Sequence, residues 1–93
     1  KGTISVLSNV APRQSVAMTD ACLRGDYAAA AKMQCDLLPL INALFSEVNP
    51  IPVKAAMEVL DLCSGELRLP LCPISKHHLS QLTRAMEDWH LTV

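Results

Sequence analysis

Three kinds of side chain in this 93-residue sequence could do chemistry: His and Cys that could hold a metal, carboxylates that could exchange protons, and lysines whose amines could attack a carbonyl. His77 and His78 are neighbours, so on one helix they point about 100° apart and cannot both ligate one ion. They read as exposed polar residues of a first turn, and His90, near the chain end, supplies no better spacing. Cys22, Cys35, Cys63 and Cys72 form no C-x-x-C pair, and with no secretory leader in view they are expected to be reduced, mostly buried thiols. Asp61, Glu66 and the Glu87–Asp88 pair are carboxylates with nothing to fix them around a reaction centre, and they read as solvated helix surface. Lys32 and Lys54 fall at solvent-facing helix positions, without the burial or neighbouring cations that would lower an amine's pKa. None of these groups is assigned a catalytic or metal-binding role.

The elements that must position any site are read from composition and period. Hydrophobic residues make up 51% of the chain and aromatics only 3%, so the core is expected to be Leu, Ala, Val, Ile and Met packed between helices. A formal charge of -1 gives no electrostatic reason to expect nucleic acid or an anionic membrane as a partner, and no apolar run approaches a bilayer span of about 20 residues. The fold class expected is mainly α, with one N-terminal strand followed by about four helices. Thr3 to Ser8 carries the β-formers Ile4, Val6 and Leu7 between Gly2 and Asn9, and reads as that strand. A lone strand has unpaired backbone groups, so it must pair outside the chain, pair with a second copy, or fray.

The first helix is expected from Pro12 to Arg24, stopped by Gly25. Asp26 caps a second from Tyr27 to about Glu47, in which Ala30, Met33, Leu37, Leu40 and Leu44 recur at three- and four-residue steps, with a kink expected near Cys35 because Pro39 lacks an N–H. Asn49 is expected to cap a third that begins with Pro50 and ends at Ser64–Gly65. Leu67 to Ile74 reads as extended, since Leu69 and Cys72 precede prolines. Ser75 then caps a last helix to about His90, with Leu79, Leu82, Met86 and Trp89 on one face.

Three stretches are more specific than any period: Gly2-Thr3-Ile4-Ser5-Val6-Leu7-Ser8-Asn9-Val10, Asn49-Pro50-Ile51-Pro52-Val53-Lys54, and Arg68-Leu69-Pro70-Leu71-Cys72-Pro73-Ile74-Ser75. With them the chain resembles the C-terminal third of the dihydrodipicolinate synthases, pyruvate-dependent lyases. The resemblance implies that residues 1–25 are the last strand and helix of a (β/α)8 barrel and 26–93 a C-terminal helical region. Together with a chain that starts at Lys1 on a strand pattern, it also implies that about two thirds of the enzyme is absent.

The family's Schiff-base lysine, its tyrosine proton relay and its Thr-Thr pair lie upstream. Neither Lys32 nor Lys54 matches the lysine, and Tyr27, at a helix start, does not match the relay. One site residue carries over: Ile4 matches the isoleucine of the final barrel strand, beside the bound keto acid, while Asn9 matches a turn and is expected to be structural. Implied for the intact form are condensation of pyruvate with aspartate semialdehyde in lysine and diaminopimelate synthesis, no cofactor, a cytoplasmic location, a homotetramer, and the N-terminal barrel portion as this chain's partner. Neuraminate lyases share the barrel but match the second and third stretches less well. The competing readings are a non-enzymatic helical module that self-associates through 3–8 and the broad face of the second helix, and a fragment of another lyase or aldolase with the same barrel.

Overall fold

The computed structural model describes residues 2–91. Four helices follow one another: α1 (Pro12–Leu23), α2 (Tyr27–Leu44), α3 (Ile51–Val59) and α4 (Lys76–Asp88). The strand expected over 3–8 is absent; residues 2–5 are irregular, and Leu7–Asn9 forms a single 3-10 turn. No other strand is available to it among the described residues, and its own polar side chains close the backbone instead. Ser8 N–H donates to Ser5 Oγ at 3.1 Å, Ser8 Oγ donates to the Ser5 carbonyl, and Asn9 Nδ2 donates to the Val6 carbonyl at 3.1 Å. Asn9 is therefore a local brace, in keeping with its structural reading.

How the helices stop explains most of the remaining differences. After α1, Gly25 N–H bonds to the Cys22 carbonyl and Asp26 N–H to the Ala21 carbonyl, with Gly25 at φ 81°. That pair of bonds is a Schellman motif, and glycine is the residue it favours because φ is positive. The same motif recurs on residues that carry a Cβ. After α3, Asp61 N–H bonds to Glu58 and Leu62 N–H to Met57, with Asp61 at φ 58°. After α4, His90 N–H bonds to Glu87 and Leu91 N–H to Met86, with His90 at φ 56°. The third helix thus ends at Val59 rather than at Ser64–Gly65, and the last at Asp88.

At the starts, Asp26 accepts from Ala29 N–H at 3.2 Å and Ser75 from His78 N–H at 3.3 Å, as their residue types dictate. Asn49 does not cap α3: Pro50 occupies the cap position without a side-chain bond, and Pro52 lies in the first turn, where a missing N–H costs nothing. The second helix ends at Leu44, short of Glu47, and runs through Pro39. Between α3 and α4, residues 62–75 have no regular structure. The extended run expected over 67–74 is broken by a turn at Leu69–Pro70, closed by Leu71 N–H to the Arg68 carbonyl at 3.0 Å. The Asn49–Pro50 and Leu69–Pro70 peptide bonds are cis.

Packing is organised around α2, which contacts α1, α3 and α4. Its Leu37, Leu40 and Leu44 join Val53 and Ala56 of α3, Leu82, Ala85 and Met86 of α4, and Leu7, Val10 and Ala11 from the 3-10 turn and the segment after it in one buried cluster. The apolar face expected for α4 faces that cluster, with Leu82 and Met86 fully buried and Trp89 packed against it. Between α1 and α2 the buried side chains are alanines, Ala21 and Ala30, so there is little side-chain volume to bury. The four cysteines are exposed, correcting the expectation that they are mostly buried: Cys22 and Cys35 lie on outward helix positions, and Cys63 and Cys72 on the irregular segment after α3.

Two stability outcomes follow from this packing and these helix ends. Leu40→Ala, at a position with no solvent exposure, is expected to lower unfolding free energy in chemical denaturation by about 2–5 kcal/mol. Asp61→Gly is expected to raise it by about 0.5–1 kcal/mol by relieving the left-handed backbone; a loss of stability would mean that the Asp61 side chain contributes more than the strain costs.

Candidate functional site

Glu47, Ser75 and His78 form the one long-range polar cluster among the described residues. Glu47 leaves the C-terminal end of α2, while Ser75 and His78 are the cap and third residue of α4, so the cluster ties positions 28 and 31 residues apart. Ser75 N–H donates to Glu47 Oε2 at 2.9 Å, and His78 Nδ1 lies 2.8 Å from the same oxygen. A carboxylate only accepts, so the ring nitrogen is the donor. A Ser-x-x-Glu start would let the helix's own glutamate reach back to the cap N–H. Here that third position is His78, and Glu47 takes the bond from another part of the chain.

Serine, histidine and glutamate invite comparison with a nucleophilic relay, and the geometry rules one out. In a relay the acid orients one ring nitrogen while the serine hydroxyl meets the other. His78 meets both Glu47 Oε2 and Ser75 Oγ (3.0 Å) through the same Nδ1. Ser75 Oγ is also the acceptor that caps α4. The group is a clamp with no activated nucleophile. Its electrostatics agree: the Ser75 N–H first, and the His78 side chain second, hold the Glu47 carboxyl below its ordinary 4.5, against partial desolvation acting the other way.

The residues singled out from the sequence are scattered. Ile4 is fully exposed, at 108% of its reference area, and belongs neither to the buried cluster nor to the residues packed against it. Lys32 pairs with Asp36 one helical turn away at 3.2 Å, both exposed, an arrangement worth a few tenths of a kcal/mol. Lys54 is half-buried, which corrects its solvent-facing reading, and its Nζ donates to the Glu66 carbonyl. Tyr27 opens α2 and is 70% exposed. Asp61 and His90 are helix-stop residues, Glu87 and Asp88 are exposed on α4, and the His77 ring lies against the His78 ring with its Nε2 3.3 Å from Gln81 Nε2.

No group of three or more His, Cys, Asp or Glu among the described residues could hold a metal ion, and no described helix is long and apolar enough to cross a membrane. Reasoning from the sequence missed Glu47. The available signal was Ser75-x-x-His78, a helix start whose reciprocal acid is missing and must come from elsewhere.

A second feature is apolar surface without a partner. Val16, Leu23, Leu38, Phe45, Val48, Leu62 and Leu69 are 40–92% exposed. An open groove runs between the N-terminal segment and α1, lined by Leu7, Ser8, Pro12, Ser15, Val16 and Thr19. The radius of gyration is 13.9 Å, against about 12 Å for a compact domain of this length.

Comparison with known proteins supplies the context. The Dihydrodipicolinate synthetase family model matches residues 1–89. The 4-hydroxy-tetrahydrodipicolinate synthase of Geobacter sulfurreducens is 44% identical over 98% of this chain and 31% of its own length. That of Methanosarcina mazei is 48% identical over 92% of this chain and 30% of its own. Among solved structures, the dihydrodipicolinate synthase of Aquifex aeolicus superposes on the whole chain with a TM-score of 0.95 at 39% identity, covering 32% of that protein. The chain thus spans about a third of the length of the relatives it matches.

The Glu47 clamp predicts an acid limb of known sign. A carboxyl with a depressed folded pKa contributes stability that is fully present above its ordinary 4.5 and is lost as pH falls through the lower folded value. In thermal melts from neutral to strongly acidic pH, Glu47→Gln is expected to lower the midpoint near neutrality and to flatten its fall below the ordinary carboxylate range. A variant whose acid limb parallels the wild type would show that other carboxylates set it.

Proposed function

We propose a function from one established premise: the chain belongs to the dihydrodipicolinate synthetase family. It is read as the C-terminal third of a 4-hydroxy-tetrahydrodipicolinate synthase, with residues 1–25 supplying the last strand and helix of a (β/α)8 barrel and 26–93 the helical region beside it. The observation that carries this reading is the superposition of the entire chain on about a third of a dihydrodipicolinate synthase. The exposed apolar residues and the open groove along α1 fit the same account, as surface that the remaining two thirds would cover. In that setting residues 3–8 gain neighbouring strands, and the local Ser5–Ser8 bonds give way to a ladder.

The intact enzyme, in this reading, is a cytoplasmic homo-oligomer that condenses pyruvate with aspartate semialdehyde in lysine and diaminopimelate synthesis. A lysine amine upstream of this chain adds to the keto carbon of pyruvate and water leaves. The resulting Schiff base loses a methyl proton to become an enamine, which attacks the aldehyde carbon. This chain provides Ile4 as an apolar wall beside the keto acid, at the end of the barrel where such sites lie. By itself it is inactive. Lys32 is ion-paired in solvent and Lys54 is bonded to a backbone carbonyl, so each amine already has a partner within the chain.

Trapping tests the reading directly. Incubated with pyruvate and borohydride, the isolated chain is expected to keep its unmodified mass, while the full-length enzyme gains one reduced adduct on a lysine outside this segment; an adduct on Lys32 or Lys54 would overturn the assignment. In the full-length enzyme, Ile4→Ala is expected to lower kcat/KM for pyruvate about tenfold, the scale set by removing methyl-sized contacts from a pocket. Unchanged kinetics would return Ile4 to an ordinary barrel residue.

A further inference from the structure

We draw no further inference here: the strongest candidate, the exposed apolar surface of Phe45 and Val48 in the turn after α2, is an unpartnered patch on a chain that spans about a third of the length of the relatives it matches, and nothing in the structure shows what covers it.

Discussion

Burial of the α2 leucines against α4 is the contact on which the rest of this chain depends. Leu37, Leu40 and Leu44 stand at three- and four-residue steps and keep to one face of an 18-residue helix, and α4 answers with Leu82, Ala85 and Met86. The two helices are separated by more than thirty residues, and α3, which lies between them in the sequence, packs against both. The 3-10 turn reaches the same cluster through Leu7, and α1 then joins through alanines on the other side of α2. Without the leucine seam, each helix would keep only its local bonds, which for lengths of 9 to 18 residues are marginal in water.

How far the sequence discloses this arrangement varies with the range of the interaction involved. The periodic faces of α2 and α4, the Asp26 and Ser75 caps and the Gly25 stop were all legible, because each is set by residues within a few positions of one another. The stops at Asp61 and His90 were not. A Schellman motif is a backbone arrangement, and glycine only lowers its cost, so an aspartate or histidine there carries no sign of the left-handed residue it becomes. Both had drawn attention as candidate chemical groups, when their positive φ gives them a structural role. The strand over 3–8 failed for a different reason. Its residues have strand preferences, but a strand is stabilised by its neighbours, and local Ser and Asn bonds prevail when none is present.

The Glu47 clamp shows the same limit from the polar side. Nothing near Glu47 marks it, and the incomplete capping pattern at Ser75 and His78 signals a missing acid without locating it. Once the leucine seam has brought the end of α2 to the start of α4, the carboxylate lies where the cap donor is exposed, and the bond forms between groups that the seam has already ordered. Apolar packing thus comes first in the causal sequence, and the polar contact fixes the register of the join. The Ser75 backbone N–H, more than the histidine, holds the Glu47 carboxyl below its ordinary value.

The exposed apolar residues connect this architecture to function. Isolated surface leucines are ordinary, but here Val16 and Leu23 share the outer side of α1, and Phe45 and Val48 share the turn after α2. The same α1 surface borders the groove next to the segment that carries Ile4. The chain closes its own core around α2 and leaves one side of α1 open. That division explains why the helical region was readable from its own sequence. The core is specified by residues present here, whereas Ile4 is exposed and outside the buried cluster.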